Sequence, residues 1–364
     1  MRLRVLDFGF VPALRSQAVY HGVAHTITAG SDPVLTLVNP ETPYVCVGVH
    51  QEIAVEVDEV YCKANGLPII RRHVGGGAVY LDRNQMFFHF MYPKGKVPEY
   101  AVNLYPRFIE PAVRTYRELG VAAEYRPVND IQVAGRKIGG TGAASIGEAT
   151  VMVGSFMFDF DTATMSKCLK VPSEKFRDKL RATLDDYMST MARELPQLPT
   201  RDAVKAIFLR HCADTLGVEP VADEPTAQER EAIAAQEKAL SEPDWTYRKG
   251  RGRSELGVKI SEGLHLNEAM FKARGGLIRA SLLARDGHIE NLMLSGDMTC
   301  LPEDGIDRLS QALSGARLDS KSLTDLIGRE IRRLELDIPA VEAEDFAAAI
   351  MAAASGEQAG RAAQ

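Results

Sequence analysis

The sequence predicts an α/β protein with one large domain and a smaller α+β domain at the carboxyl end. Through the first part of the chain, apolar residues at helical spacing alternate with β-rich runs. Glycine-rich turns then separate consecutive β runs, which is typical of hairpins. An acidic, alanine-rich stretch bounded by Pro220 and Pro243 follows. We therefore expect a helical linker there, separating two folded regions.

The elements of the first region follow from the spacing of apolar residues and from glycine stops. Gly66 and Gly120 are each expected to end a helix, because glycine adopts left-handed backbone at little cost. In chain order, the predicted elements are a helix over 14–27, strands over 34–38 and 44–49, a helix over 58–65, extended structure over 67–71, a strand over 86–92, a helix over 102–120, and short β runs with glycine-rich turns over 129–161.

The second region begins after a largely helical stretch over 173–217. Strands are predicted around 257–265, 276–284 and 289–295, followed by helices from Glu303 onward, which is the pattern of a small α+β domain. The expected domains are a catalytic domain over 1–220, a helical linker over 221–243, an accessory domain over 244–355 and a flexible tail over 356–364.

Composition excludes several classes of function. The 364 residues include 43 Lys and Arg against 49 Asp and Glu, a net charge of −6, which argues against a generally basic nucleic-acid binder but permits a local basic pocket. No apolar run approaches the roughly 18 residues that a membrane span requires. Five cysteines without zinc-site spacing, and no recognisable signal peptide, fit a reducing compartment. We expect a cytoplasmic protein with neither nucleic-acid nor membrane partners.

Three consecutive glycines form the first unusual segment. Gly75, Gly76 and Gly77 follow Arg71 and Arg72 and lie between two β-like runs. A backbone without side chains can approach a ligand closely and present N–H groups to an anion such as phosphate. Taken alone, the segment fits a glycine-rich hairpin with solvent-exposed arginines equally well.

A lysine on a predicted hairpin forms the second candidate. Lys137 lies between glycines in the segment 129–142, where its ammonium can reach a bound anion. A lone lysine at such a position is usually solvated surface. Together with Arg71, Arg72 and Arg136, it is predicted to form a small cationic site within an acidic protein.

Taken together, the two segments carry a family resemblance. The pattern RRxxGGGAVY at 71–80, followed by NDIxxxGRKIxGxxA at 129–143, resembles the lipoate–protein ligase family, within the wider biotin and lipoate ligase fold. The resemblance covers roughly 3–217, and the region after Trp245 resembles the accessory domain of long-form members. It implies a mixed sheet of the biotin/lipoate ligase type, which is similar to class II aminoacyl-tRNA synthetases.

The resemblance implies an activity, cofactors and a partner. Members use ATP and Mg²⁺ to activate lipoate as lipoyl-AMP, then transfer the lipoyl group to the ε-amine of a lysine on a carrier protein or domain. Two anions must meet in the first step, so positive charge and backbone donors have to be pre-positioned. We expect a monomer, as the simpler state of a long-form ligase.

Matching the family motifs assigns roles to individual residues. Lys137 matches the lysine that touches both the acyl carbonyl and the phosphate, Arg72 matches the arginine on the nucleotide phosphates, and Asp130 is a candidate Mg²⁺-side carboxylate. The implied site for ATP and lipoyl-AMP comprises Arg72, Gly75, Gly76, Gly77, Ala78, Val79, Tyr80, Asn84, Asn129, Asp130, Lys137 and Gly154.

Some positions depart from the usual family pattern. Val74, Leu81 and Val153 stand where serine, histidine and histidine are common, and 139–142 reads Gly-Gly-Thr-Gly where Ser-Gly-Ser is common. All three single replacements lose polarity. They suggest a divergent branch with a different acyl pocket or carrier, and such branches include ligases that serve lipoyl carriers in sulfur oxidation.

Two alternatives remain open. An octanoyl or lipoyl transferase of the same fold would need a cysteine nucleophile, and Cys168 is the nearby thiol. A non-catalytic lipoate or carrier binder would explain the lost polarity, but a binder has no need for charge aimed at a phosphate. Neither the basic segment 250–253 nor the His21 and His25 pair, which lacks a third ligand, is interpreted as a site.

Overall fold

A computed structural model describes residues 1–98, 100–249 and 265–356. They form two compact units: a large unit of residues 1–47, 55–72 and 78–246, and a small unit of residues 48–54, 73–77 and the described residues from 247 onward. The predicted basic segment 250–253, most of the predicted strand 257–265 and the tail residues 357–364 lie outside the described residues.

The large unit is built on a mixed eight-stranded sheet. The strands of the large unit, in this sheet and in a smaller one, are β1 Arg2–Val11, β2 Val34–Pro40, β3 Tyr44–Val47, β4 Ile69–Arg71, β5 Val79–Leu81, β6 Gln85–Pro93, β7 Ala123–Arg126, β8 Asp130–Val133, β9 Arg136–Ile146, β10 Ala149–Met157 and β11 Glu219–Ala222. The sheet order is β11-β1-β2-β6-β10-β9-β8-β7, with β11, β1 and β2 parallel and each later pair antiparallel. The remaining strands form a small sheet, β4-β3-β5. The predicted mixed sheet is confirmed.

Helices cover this sheet and connect its strands. They are α1 Ala13–Thr26, α2 Ile53–Glu56, α3 Glu59–Ala64, α4 Ala101–Glu118, α5 Thr162–Cys168, α6 Glu174–Tyr187, α7 Met191–Glu194, α8 Arg201–Leu216, α9 Ala227–Ser241 and α10 Pro243–Thr246, and α2 spans the boundary between the two units. The predicted helices over 14–27, 58–65 and 102–120 are confirmed as α1, α3 and α4. Gly66 and Gly120 follow α3 and α4 at φ +64° and +99°, as their glycine stops predict.

An aromatic core joins the centre of the sheet to α4 and α8. Phe88 on β6 packs on Phe208 of α8 at a ring-centroid distance of 4.9 Å and on Phe156 of β10 at 5.4 Å. Phe90 lies against Phe108 of α4 at 5.2 Å. All five rings are buried, so this core fixes β6 and β10, and with them the start of the β9–β10 hairpin.

The structure differs from the sequence-based expectation at the β11–β1 edge of the sheet and within strand β9. Strands β1 and β11 were not predicted, and β11 lies where the sequence favours a helical linker; the two pair in parallel, with Arg2 opposite Glu219. Gly139 and Gly140 lie inside the long strand β9 rather than in turns. A Cβ atom at Gly139 would lie 3.1 Å from the carbonyl oxygen of Ser155, so glycine there permits a close strand contact.

Helix α9, in the predicted linker, packs closely on α1. A Cβ atom at Gly22 of α1 would lie 2.5 Å from the Ile233 Cα atom. Only glycine at position 22 therefore allows the two helix backbones to pack this closely. Thr226 and Glu229 form a capping box at the start of α9. Arg4 of β1 donates through Nη1 to Glu229 Oε1 at 2.7 Å, which ties the helix to the sheet.

Replacing Glu229 with Gln is expected to lower the free energy of unfolding by about 1 kcal/mol at pH 7, because the charge-assisted bond from Arg4 is lost. Burial raises the pKa of Glu229, but the hydrogen bonds from Arg4 and Thr226 outweigh it and hold the pKa below 4.5. The stabilisation is therefore present above that value and is lost as the pH falls through the depressed pKa. Denaturant unfolding at pH 7 and in acid measures it, with the exposed Glu231→Gln as the control; equal differences at both pH values would contradict the assignment.

The small unit is an α+β fold. Strands β12 His265–Ala273, β13 Gly276–Arg285 and β14 His288–Gly296 form an antiparallel sheet. Helices α11 Gly305–Ala312, α12 Ser320–Arg333 and α13 Ala343–Ser355 contribute to one apolar core with it. The strands predicted at 276–284 and 289–295 and the helices after 303 are confirmed. The exact domain limits stay a prediction.

Candidate active site on the β8–β9 hairpin

Lys137 folds back along β9 from a tight hairpin. The turn places Ala134 and Gly135 at φ 47° and 76°, and its strands pair Asp130 with Gly140. The Lys137 ammonium lies 2.6 Å from Asp130 Oδ1, and a Cβ atom at Gly140 would come within 3.2 Å of Lys137 Nζ. Glycine at 140 therefore leaves the space that the ammonium occupies. The side chains of Lys137 and Asp130 remain 27% and 17% exposed, so the pair is accessible to a ligand.

Both oxygens of the Asp130 carboxylate have donors. Oδ1 pairs with the Lys137 ammonium, and Tyr187 at the end of α6 donates its hydroxyl to Oδ2 at 3.2 Å. Among the residues that the structure describes, no group of three or more His, Cys, Asp or Glu side chains could hold a metal ion. The Asp130 carboxylate lies against the Lys137 ammonium, and its role beside Mg²⁺ stays a prediction.

The two predicted asparagines use their side chains locally. Asn129 donates from Nδ2 to the Thr141 carbonyl at 2.6 Å, and the Thr141 hydroxyl donates to the Asn129 carbonyl at 2.7 Å. Asn84 donates from its backbone N–H and its Nδ2 to the two oxygens of Asp82, at 2.8 and 3.2 Å. Burial raises the pKa of that carboxyl. These bonds fix the hairpin base and the turn before β6.

Three of the four predicted cations donate hydrogen bonds to backbone carbonyls. Arg71 is fully buried and donates through Nε to the Thr246 carbonyl at 2.8 Å, so it is a structural residue of the large unit. Arg136 donates to the Asp186 carbonyl at 3.2 Å. Arg72 is half-buried and donates from Nη1 to the Cys46 carbonyl at 3.3 Å, beside the small β4-β3-β5 sheet.

The residues that follow the glycine triplet form a short strand. Val79 and Tyr80 on β5 pair with β3, and the Tyr80 N–H donates to Met165 Sδ at 3.1 Å. Ala78 directly precedes this strand. Gly154 on β10 lies opposite Phe88, and a Cβ atom there would come within 2.6 Å of ring atom Cε2. Packing of the Phe88 ring therefore accounts for glycine at 154.

The glycine triplet itself belongs to the small unit. A Cβ atom at Gly75 would lie 2.6 Å from the Met298 carbonyl oxygen, and Gly76 has φ +97°. Nearby, His73 Nδ1 lies 2.6 Å from Glu303 Oε2. Close backbone approach thus explains why position 75 is glycine, and the positive φ explains why position 76 is glycine, without a ligand. The sequence contains no motif from which this packing against the C-terminal residues could be predicted.

No cysteine offers an accessible thiol. Cys46, Cys62, Cys168, Cys212 and Cys300, the five in the sequence, are all buried. A hydrogen bond with Cys62, and then burial, raise the pKa of Cys168 far above the ordinary thiol value. Burial likewise raises the pKa of Cys46, Cys212 and Cys300. A nucleophilic thiolate is therefore disfavoured at these four positions. The hydrogen bond with Cys168 lowers the pKa of Cys62, whose thiol is buried.

Tyr187 is a site residue that the sequence analysis missed. It closes α6 and reaches Asp130 across 57 positions of the chain. No spacing rule relates a helix end to a distant hairpin, so only the folded structure identifies it.

Among the described residues, no helix has the length and apolar character to cross a membrane.

The geometry is that of a glycine-rich hairpin that presents one ammonium on a mixed sheet. A family profile described as "Lipoyl protein ligase A/B catalytic domain" matches residues 13–213, more than half of the 364. The chain belongs to this family. The resemblance to lipoate–protein ligases is thereby confirmed, and this lipoyl protein ligase A/B family member is an enzyme whose relatives include both ligases and transferases.

Known relatives of the lipoyl protein ligase A/B chain fall into these two groups. It is 26% identical to the lipoate-protein ligase LplJ of Bacillus subtilis over 287 residues, 78% of this chain and 82% of LplJ. It is 27% identical to the octanoyltransferase LipM of Kyrpidia tusciae over 273 residues, 68% of this chain and 98% of LipM. The solved bipartite lipoate protein ligase of Thermoplasma acidophilum, studied with its E2 lipoyl domain, superposes with a TM-score of 0.62 at 25% identity, covering 68% of this chain and 95% of that one.

Proposed function

We propose that the protein is an ATP-dependent lipoate–protein ligase. In the first step, a carboxylate oxygen of lipoate attacks the α-phosphorus of ATP, the bond to the β-phosphate oxygen breaks, and pyrophosphate leaves with lipoyl-AMP formed. In the second step, a carrier lysine amine attacks the acyl carbon, AMP leaves and an amide forms. The observation that carries the proposal is a partly exposed Lys137 ammonium in a family domain whose thiols are all buried.

Lys137 is suited to the first step. The reaction brings a carboxylate to a phosphate and concentrates negative charge on the phosphorus oxygens, so a fixed positive charge stabilises the transition state more than the separated reactants. The Lys137 ammonium is compact and carries three N–H donors, so it can bond to both the acyl oxygen and the α-phosphate. Its approach over Gly140 keeps that charge close to the sheet backbone and within reach of the Asp130 carboxylate.

A thioester route has less support from the site. The LipM relative bears the name of an octanoyltransferase, and a transferase of this fold would need a cysteine thiolate. Cys168 has no exposed surface and is hydrogen bonded to Cys62, so it would have to be uncovered and deprotonated before reacting. Those two costs favour activation of lipoate by ATP over acyl transfer through a cysteine thioester.

The other assignments belong to the same proposal. Arg72 and residues 75–80 are proposed to bind the nucleotide phosphates, with Mg²⁺ entering bound to ATP, and the carrier is proposed to be a lipoyl protein or domain. Asn84, Asn129, Asp130 and Gly154 are proposed to line the adenylate site, the last through the packing that seats Phe88. A cytoplasmic location and a monomeric state complete the proposal.

Lipoate-dependent exchange of labelled pyrophosphate into ATP tests the function directly, because it requires reversible adenylate formation and no carrier. We expect exchange with ATP, Mg²⁺ and lipoate, and none when lipoate is omitted. We also expect Cys168→Ala to retain the wild-type exchange rate within about twofold, because adenylate formation uses no enzyme thiol. Cys212→Ala, another buried thiol, is the matched control for folding.

The opposite pattern would identify the transferase. Absence of exchange, together with acyl transfer from an acylated carrier that Cys168→Ala abolishes, would refute the ligase. Tight lipoate binding with neither activity would instead point to a non-catalytic binder. The midpoint temperature of thermal unfolding, measured for each variant, shows whether a loss of activity is instead due to misfolding.

A further inference from the structure

The end of α6 is fixed to the start of β9 on both sides of Tyr187. The Ser189 N–H donates to the Lys137 carbonyl at 2.8 Å, and Met188 and Lys137 form a parallel β-bridge. On the other side, Arg136 donates to the Asp186 carbonyl at 3.2 Å. Tyr187 is therefore held in place relative to the backbone of Lys137 and does not depend on its own exposed ring for its position.

The opposite end of α6 is also anchored, although no residue of the helix is buried. Arg177 donates through Nη1 to the carbonyls of Ser166 and Lys167 at 2.9 and 3.1 Å, where α5 ends. Its Nη2 lies 3.3 Å from Asp58 Oδ2. These contacts hold the exposed helix by polar bonds at its two ends, so its orientation, and with it Tyr187, follows the framework of the large unit.

A hydrogen-bonded series then runs from the helix to the ammonium. The Tyr187 hydroxyl donates to Asp130 Oδ2 at 3.2 Å, and Asp130 Oδ1 lies 2.6 Å from Lys137 Nζ. A tyrosine hydroxyl is protonated at neutral pH and can donate there. Partial burial, and then the nearby Asp130 charge, raise the pKa of Tyr187 further. A lysine side chain has four rotatable bonds, and a carboxylate whose second oxygen is fixed restricts where its ammonium can lie.

We propose that Tyr187 is a positioning residue that fixes the Lys137 ammonium through Asp130. The assignment rests on the proposed ligase function, in which Lys137 contacts the reacting carboxylate and phosphate. Loss of the tyrosine hydroxyl leaves Asp130 free to rotate and the ammonium distributed over several positions. The chemical step slows because fewer molecules hold the reactive geometry, whereas binding of ATP and lipoate is little affected.

Tyr187→Phe tests this with a single oxygen atom removed. We expect kcat for lipoate-dependent exchange to fall about tenfold, with the KM values for ATP and lipoate within about twofold of wild type. Tyr125→Phe is the matched control, because the Tyr125 hydroxyl donates to the Val128 carbonyl at 2.6 Å on the neighbouring strand and has no bond to Asp130. A purely structural role would instead lower the thermal midpoint and change kcat and KM together.

A double-mutant cycle shows whether Tyr187 acts through Asp130. In an Asp130→Asn background, Tyr187→Phe is expected to have no further effect on kcat, because the carboxylate that it orients is already absent. If the two losses multiply, the hydroxyl acts on the reaction by another route and the proposal is wrong.

Chemical labelling of Lys137 provides a readout that does not depend on catalysis. The rate of acetylation by acetic anhydride, mapped by mass spectrometry and normalised to the exposed Lys179, is expected to rise severalfold in Tyr187→Phe and in Asp130→Asn, because a paired ammonium reacts slowly. An active wild type whose Tyr187→Phe variant is unchanged in both kcat and labelling would refute the role of Tyr187 alone. An inactive wild-type protein refutes the proposed ligase function. The labelling rates then decide whether Tyr187 still positions Lys137. If Tyr187→Phe also leaves the labelling of Lys137 unchanged, the ligase function and the role of Tyr187 are both wrong.

Discussion

Replacing Lys137 with alanine is expected to lower lipoate-dependent pyrophosphate exchange by at least about 10³-fold, at the upper end of what one preorganised charged donor contributes. Lys137 presents the ammonium of the β8–β9 hairpin, and no neighbouring lysine can replace it along β9. Without it, the carboxylate and the phosphate approach each other with no fixed charge between them. The effect should appear in kcat/KM for exchange, measured at saturating Mg²⁺.

The fold should survive this substitution. The ion pair with Asp130 is partly exposed, and exposed pairs contribute only about 0–1 kcal/mol to stability. The thermal midpoint of Lys137→Ala is therefore expected to stay close to that of wild type. Lys137→Arg should recover little activity, because the planar guanidinium is larger than the space over Gly140.

Lys179→Ala provides the matched control for the loss of one positive charge. Lys179 lies on the exposed face of α6 in the same unit and should exchange at the wild-type rate. Unchanged exchange in Lys137→Ala would falsify the assignment of Lys137 while leaving the ligase function to be judged on the wild-type assay. Equal losses in both variants would point to a general electrostatic effect.

Local sequence signals predicted the elements that local physics determines. The apolar spacing of α1 and α4 and the glycine stops at Gly66 and Gly120 depend only on residues within a turn or two, and the structure contains these elements close to the predicted bounds. The motif at Lys137 also identified the residue whose ammonium is presented by the hairpin. Such features need no knowledge of the distant chain.

Features that join distant segments could not be predicted in this way. Strand β11 is four residues long and pairs with β1, which lies more than two hundred positions earlier. Its composition carries no distinctive β pattern, and its stability comes from the partner strand. The bond from Tyr187 to Asp130 is of the same kind, because a polar side chain at a helix end has many possible partners until the fold brings one of them near.

Glycines show a third limit of sequence reasoning. A family motif assigns Gly75 and Gly154 to a ligand site, yet each glycine also has a packing reason: the Met298 carbonyl lies against the first, and the Phe88 ring lies against the second. A sequence shows that a side chain is absent but not what occupies its place. The two explanations predict different consequences for a substitution, and for Gly154 they can be separated.

Gly154→Ala is expected to lower the free energy of unfolding by about 3 kcal/mol, the upper end of the range for overpacking a filled core. The new Cβ atom would lie 2.6 Å from Phe88 Cε2. The ring cannot move aside cheaply, because it is buried and packs against both Phe156 and Phe208. Urea denaturation followed by circular dichroism measures the change, and Gly30→Ala is the control, because a Cβ atom there would meet no neighbour and the backbone is not left-handed.

A compensating substitution separates packing from ligand contact. Phe88→Leu removes the ring atoms that clash with the new methyl group, so the double variant Gly154→Ala/Phe88→Leu should be more stable than the sum of the two single losses predicts. The expected coupling is about 1–2 kcal/mol, within the range found for residues in direct contact. Exchange activity should recover together with stability if Gly154 serves the site only by seating Phe88. If stability recovers and exchange does not, the space at Gly154 itself is needed by the adenylate, and the packing explanation is incomplete.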